Sequence, residues 1–183
     1  VINDASPSIV TAVDGGSDGI CAVSYMISER IPEDPMFLSE PNYVAIIAAK
    51  AKVAPIGGDS IPKLELSSLT LGAQLEAWIL RSIPDQIMNT CILSDSQTAI
   101  RQVKSRAPLF QNYQQAKIRI FKQNSNTKNI FFIPGAINPA DSCTKLFDRP
   151  TRLIMESRKW QLGGFLSSKR DSWETQEVTP AAN

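Results

Sequence analysis

The sequence contains no histidine. That absence excludes Ser-His-Asp hydrolases, Cys-His proteases and zinc sites built on imidazole. Any metal must then be held by oxygen, which favours Mg²⁺ or Mn²⁺ over zinc. Cysteine is scarce: Cys21, Cys91 and Cys143 are an odd number at unrelated spacings, which fits a reducing compartment better than a disulfide framework. Cys21 and Cys91 fall in apolar, strand-like runs and are expected in the core. No apolar run approaches the roughly 20 residues of a membrane span, and the first residues lack the basic start and apolar centre of a secretory signal. No membrane is therefore expected among the partners. Neither sign of charge is in excess: 19 Lys and Arg stand against 18 Asp and Glu, a formal net charge of +1. Contact with nucleic acid must come from local clustering. The chain starts at Val1 without a Met, as an excised piece of a longer protein would.

What is present is enough for one domain with a substantial core: 183 residues, 43% hydrophobic and 20% charged. "SIVTAV" (8 to 13) and "ICAVSYMI" (20 to 27) are β-branched and apolar, and the glycine-rich "DGGSDG" between them predicts an antiparallel hairpin. "NYVAIIAAKAKVAP" (42 to 55) predicts a third strand. "SIPKLELSSLTLGAQLEAWIL" (60 to 80) predicts a long apolar helix with Pro62 near its start and Glu65 in its first turn. "NTCILSD" (89 to 95) is a fourth strand, two helices follow, and "KNIFFIPG" (128 to 135) is a fifth strand. "NPADSCTKLF" opens a last helix, with Asn138 as N-cap, Pro139 as first helical residue and Asp141 in the first turn. Residues 167–183 read as a polar tail or linker after a domain spanning 1–166. Trp78 fits a core stripe with Leu71, Leu75 and Ile79, and Trp160 near Gly163 and Gly164 reads as an anchor for the C-terminal segment. The order predicts an α/β fold with a five-stranded mixed sheet flanked by helices.

Four carboxylates fall at element ends. Each has a plain local explanation: Asp14 precedes Gly15-Gly16 in a hairpin, Asp95 lies between Ser94 and Ser96 before a helix, and Glu65 and Asp141 suit a helix dipole. Together they carry more, because strand ends and helix starts are where an open α/β sheet gathers ligands and reactive groups. Converging carboxylates repel one another unless cations neutralise them. Two Mg²⁺ ions about 3.5 to 4 Å apart form the usual device for activating water against a phosphodiester, so the set reads as a nuclease site. Lys104, Arg106, Lys117, Arg119 and Lys122 cluster in the middle helices, interleaved with Tyr113 and Phe121. That cluster suits a phosphate path and equally a solvated helix face. Lys50 and Lys52 alternate along the third strand, and Gln74 lies further along the long helix.

The segments "AKAKVAPI", "IPKLELSSLTLGAQL", "LSDSQTAI", "FIPGAINPADSCTK" and "WQLGGFL" resemble the ribonuclease H region of BEL/Pao-type retrotransposon polyproteins, over roughly residues 10 to 166. "IPKLEL" and "IPGAINPAD" are the specific pieces. The resemblance implies a ribonuclease H-like fold and makes Asp14, Glu65, Asp95 and Asp141 the catalytic metal ligands for two Mg²⁺ or Mn²⁺ ions. It implies cleavage of RNA in RNA–DNA hybrids during reverse transcription, leaving a 5′-phosphate and a 3′-hydroxyl, with Glu65 also reaching the substrate's 2′-hydroxyl. It further implies a neighbouring reverse transcriptase in the same polyprotein and an intracellular setting, in cytoplasm or retroelement particles. Gly15, Gly16 and Ser96 would meet the 2′-hydroxyls across the minor groove, and Lys104, Arg106, Lys117 and Arg119 the phosphates. Related elements typically carry a histidine before the Pro-Gly pair, where this sequence has Phe132-Ile133. That difference, the near-neutral charge and the altered loop after Asp14 motivate a second expectation: a domesticated ribonuclease H-like domain acting as a non-catalytic protein- or RNA-binding platform. An integrase-type strand-transfer domain fits less well, since its carboxylate order is Asp, Asp, Glu. An aspartic peptidase is weaker still, since "DGG" lacks the hydroxyl residue between Asp and Gly.

Overall fold

The computed structural model describes residues 7–29, 42–83, 89–105, 112–145 and 155–180. Its five strands are β1 (Ser8–Gly16), β2 (Gly19–Glu29), β3 (Asn42–Val53), β4 (Asn89–Ser94) and β5 (Ile130–Phe132), in the sheet order β3-β2-β1-β4-β5. β1 and β2 form the expected antiparallel hairpin, which closes over Ser17 and Asp18 with Gly16 opposite Gly19. β3 adds antiparallel to β2, while β4 pairs parallel to β1 and β5 parallel to β4. The expected mixed sheet is thus what the sequence folds into.

Side chains alternate across this sheet as strand geometry requires. Ile9 and Val13 of β1, Ala22 of β2 and Ile92 of β4 face α1 (Ile61–Ser82), α2 (Gln97–Lys104) and α3 (Asn112–Asn124), joining Leu66, Leu69, Ile100 and Phe121 in one buried cluster. Val10, Ala12, Val23, Tyr25 and Leu93 face the other way and pack against Ile133, Ala140, Trp160 and Leu166. Two short helices, α4 (Asp141–Thr144) and α5 (Arg158–Gln161), lie in this second layer. Cys21 and Cys91 are buried, as expected. Trp160 is buried too, and its carbonyl accepts a hydrogen bond from the Tyr25 hydroxyl at 2.6 Å, tying the C-terminal segment to β2. Among the described residues no helix is long and apolar enough to cross a membrane.

The long helix follows Ser60, with Pro62 in its second position, where a missing N–H costs nothing. Glu65 is therefore its fifth residue, one turn further in than the sequence suggested. Gly72, in the helix middle, costs about 1 kcal/mol relative to alanine, yet a Cβ there would stand 2.4 Å from Val13 Cγ1. The residue lets helix and strand meet closely. Leu71, Leu75 and Ile79 are buried as expected, but Trp78 is 55% exposed. The buried stripe of the second half centres on Gly72, Glu76 and Ile79, about a third of a turn from Trp78. A small and an acidic residue occupy positions where apolar ones were sought.

Three further expectations differ from the structure. The last helix does not start at Pro139: Ala140 precedes it, Asp141 is its first residue, and it has a single turn. Asn138 does not cap it in the expected place. The Asn138 side chain accepts from the Ala140 N–H and donates to the carbonyl of Val13. The fifth strand is shorter than 128 to 135, because short 3₁₀ turns flank it at Thr127–Asn129 and Gly135–Ile137. The stretch read as a polar tail packs on the sheet over its described part. Gln176 exchanges two backbone hydrogen bonds with Phe132, at 2.8 and 2.9 Å, Val178 is buried in the first cluster, and Arg170 donates to Ser8 Oγ at 2.8 Å.

Candidate nuclease site

β1 and β4 run parallel in a register that sets Val13 beside Ser94. The next residue on each is an aspartate, so Asp14 and Asp95 leave adjacent strands at the same level. Asp14 lies within β1 opposite Cys21, not in the hairpin turn. Burial pushes its carboxyl above the usual range, aided by the charge of Asp141 and opposed by a hydrogen bond from Thr144 and by Lys145. The Thr144 hydroxyl donates to Asp14 Oδ2. Asp95 is pushed up to about 6, first by burial and then by the charge of Asp14, with Asp141 adding to it and hydrogen bonds from its own backbone and Asn138 opposing. Three of the expected carboxylates thus feel one another's charge.

Glu65 reaches this end of the sheet from the helix layer. Its Oε2 accepts from the Ser96 hydroxyl at 2.8 Å, and Ser96 in turn caps α2 by accepting from the Ala99 N–H at 3.1 Å. The approach depends on Gly15, where a Cβ would stand 2.6 Å from the carbonyl carbon of Leu64 and 2.7 Å from the Glu65 nitrogen. No side chain larger than hydrogen lets α1 sit so low over the strand end. Gly16 faces Thr144, and Gly135 leaves room for Asp95, since a Cβ on it would stand 2.9 Å from Asp95 Oδ2.

Asp141 is delivered from the opposite layer, with buried Asn138 as the hook: bonded to Val13 at 3.0 Å, it fixes the entry to α4 beside Asp14. Asp141 Oδ1 meets Lys145 Nζ at 2.6 Å, and its Oδ2 lies 3.7 Å from Lys159 Nζ. Thr144, Lys145, Lys159 and the hooking role of Asn138 were not read from the sequence. Helical i, i+3 and i, i+4 steps from Asp141 to Thr144 and Lys145 were the local signals. Beneath α4, the Cys21 thiol is pushed up by a hydrogen bond with Cys143 and by burial.

The cationic candidates have different surroundings. Lys117 stands over the Tyr113 ring at 5.4 Å, with Lys63 over the same ring at 5.5 Å, and the Tyr113 hydroxyl shares a 2.6 Å hydrogen bond with Ser67. Beside them is a cavity of about 160 Å³ lined by Lys52, Ser67, Thr70, Gln74, Tyr113 and Lys117. Arg119 is exposed. Lys104 ends α2, where loss of water lowers its pKa and the Glu177 carboxylate pulls the other way. Arg106 lies outside the described residues.

The donor chemistry suits a hard divalent cation, being carboxylate oxygen throughout, with two of the groups destabilised in their charged form. As the side chains stand, no three His, Cys, Asp or Glu residues among those described are grouped to hold one ion. The cations in contact with Asp141 are lysines.

The family described as "Pao retrotransposon-like RNaseH-like domain" matches residues 2–96. No curated protein matches the sequence. Among solved structures, RNase H1 from the halophilic archaeon Halobacterium salinarum shares 15% identity, with a TM-score of 0.51 over 78% of this chain and 99% of that one. The N-terminal RNase H domain of a Mycobacterium tuberculosis protein, solved as a fusion with maltose-binding protein, shares 15% identity, with a TM-score of 0.47 over 73% and 86%. At such identities the likeness is one of fold.

Proposed function

The chain belongs to the Pao retrotransposon-like RNase H-like domain family, and from that we propose that it is a divalent-metal-dependent endonuclease that cuts the RNA strand of RNA–DNA hybrids during reverse transcription. The observation that carries the reading is the β1/β4 register, which gathers Asp14 and Asp95 side by side within the field of Asp141. Its oxygen donors would take Mg²⁺ or Mn²⁺: Asp14, Asp95 and Glu65 at one position, Asp14 and Asp141 at a second. Such ions, when bound, activate water against the phosphodiester and stabilise the departing oxygen.

The chain's own residues do the positioning. Thr144 turns the Asp14 carboxylate by donating to one oxygen, leaving the other for a ligand. Ser96 does the same for Glu65, whose remaining oxygen would meet a 2′-hydroxyl of the RNA strand. The Lys117 and Tyr113 groove offers cation and aromatic surface to the backbone of the hybrid. A neighbouring reverse transcriptase would hold that hybrid, in cytoplasm or in retroelement particles.

One observation favours a second reading, a non-catalytic binding platform: Asp141 already has two positively charged partners in Lys145 and Lys159. A labelled RNA–DNA hybrid incubated with Mg²⁺ or Mn²⁺, beside single-stranded RNA, duplex RNA and an Asp95→Asn control, decides between them. Metal-dependent cutting of the hybrid alone, lost in the control, is the expected result. A folded protein that leaves every substrate intact would point to the platform.

A further inference from the structure

Each oxygen of Asp141 has an ammonium group against it. Lys145, immediately after α4, makes the closer contact at 2.6 Å, and Lys159 of α5 stands 3.7 Å from the other oxygen. The two lysines are held differently. Lys159 also donates to the carbonyl of Ala136 at 3.0 Å, and its side chain is 29% exposed. Lys145 is the more exposed of the two, at 58%, so its ammonium is the one that water and a competing cation reach more easily. The residue before it, Thr144, has its hydroxyl on Asp14. The Lys145 charge is felt at Asp14 as well as at Asp141, the two carboxylates that would hold the second cation of the nuclease reading.

We propose that Lys145 is a built-in substitute for that second ion. In the resting protein its ammonium occupies the position between Asp141 and Asp14, and a divalent cation enters there only by displacing it. The inference rests on the metal-dependent reading above and deepens it by making the two ions unequal. The first binds at Asp14 and Asp95, whose hydrogen bonds come from Thr144 and Asn138 and which make no lysine ion pair among the described residues, the Lys145 charge reaching Asp14 only at longer range. The second competes with a tethered positive charge, so it binds more weakly and in a separate step. Lys145 is a positioning residue that sets the order of ion entry. Lys159, anchored to Ala136, stays in place and limits how much charge Asp141 has left to offer.

Titration of the whole chain with Mn²⁺ by calorimetry, alongside melting curves at each Mn²⁺ concentration, tests this without reference to cleavage. The wild type should bind one ion first and a second at least about tenfold more weakly, a difference of about 1.4 kcal/mol. Lys145→Met should tighten the second step about tenfold and leave the first unchanged, while Asp141→Asn should remove the second step alone. Lys159→Met, which keeps Lys145, should shift the second step less than Lys145→Met does. Two ions entering the wild type in one step, with hybrid cleavage intact, would overturn the inference and leave the nuclease reading standing. A second step that Lys145→Met does not move, or that is missing from both proteins, would overturn it as well. Absence of any Mn²⁺ binding, together with absence of cleavage, would remove the nuclease reading too.

Discussion

Gly15 of β1 and Leu64 of α1 meet backbone to backbone: a Cβ at Gly15 would lie 2.6 Å from the Leu64 carbonyl carbon and 2.7 Å from its oxygen. Neither neighbour is the end of a flexible side chain, so nothing can move aside except the helix itself. Gly15→Ala should cost roughly 2 kcal/mol or more as overpacking and lower the melting temperature by several degrees. Because the displaced turn carries Glu65, hybrid cleavage should fall further than stability at temperatures where the variant is folded. A variant as stable and active as the wild type would show that α1 does not sit where it is described.

Asp95→Asn should end cleavage without weakening the fold. The Asp95 carboxyl is pushed up to about 6 from an ordinary 3.8, so the folded state binds its proton more tightly than the unfolded state does. Stability contributed by the protonated form is then lost as pH rises from about 4 to about 6. Above that range the amide removes a strained charge, and the melting temperature in metal-free buffer should stay level or rise. Added Mg²⁺ should stabilise the wild type more than the variant. Retained cleavage would take Asp95 out of the site.

Glu76 offers a cleaner test of pH dependence, since it lies away from the carboxylate cluster. It is 2% exposed, and one oxygen accepts from Ser125 at 3.0 Å. Burial pushes its carboxyl up to about 7 from 4.5, against hydrogen bonds from Ser125 and Thr90. The fold favours the protonated form, so stability is greatest below pH 4.5 and falls as pH rises to about 7. Keeping the charge buried above that pH costs on the order of 3 kcal/mol. Glu76→Gln should flatten the curve of melting temperature against pH and raise it at pH 8. A curve parallel to the wild type's would locate the pH dependence elsewhere.

Lys117→Ala should weaken binding of the hybrid without changing the pH profile or metal requirement of cleavage. One lost phosphate contact reduces the slope of log affinity against log salt by about 1. Tyr113 keeps its hydrogen bond to Ser67 and the ammonium of Lys63 above its ring, so the groove should hold its shape. An unchanged salt slope would mean that the hybrid runs over another face.

Much of the fold was legible because it is written locally. β-branched runs bounded by glycines and prolines marked the strands, and the carboxylates at their ends drew attention to one edge of the sheet. Trp78 was misplaced because a stripe drawn through large apolar residues ignores Gly72 and Glu76, which the core uses for close approach and a buried carboxyl. The last helix was drawn too early because Asn138 looks like an N-cap, when its amide is engaged by Val13, 125 residues earlier. Thr144 and Lys145 carried only the helical spacing from Asp141 that any short helix gives, whereas the bond from Thr144 to Asp14 is made by the tertiary fold. The packing of 167–180 was hidden differently. Gln176 pairs with Phe132 through main-chain atoms, and a backbone pairing leaves no pattern in side-chain types.

The Thr144 hydroxyl and the Asp14 carboxylate that it orients are separated by 130 positions in the chain. Strands β1 to β3 and helix α1 come early and can pair among themselves, whereas the partners of Asp14 on β4 and α4 arrive late. A ribosome making this polypeptide therefore releases Asp14 and Glu65 long before Asp95, and Asp95 long before Asp141. Closing so long a loop is slow compared with forming the hairpin. The carboxylates are kept apart until nearly the whole domain has been translated, and a truncated product would carry the early half of the constellation with nothing to complete it.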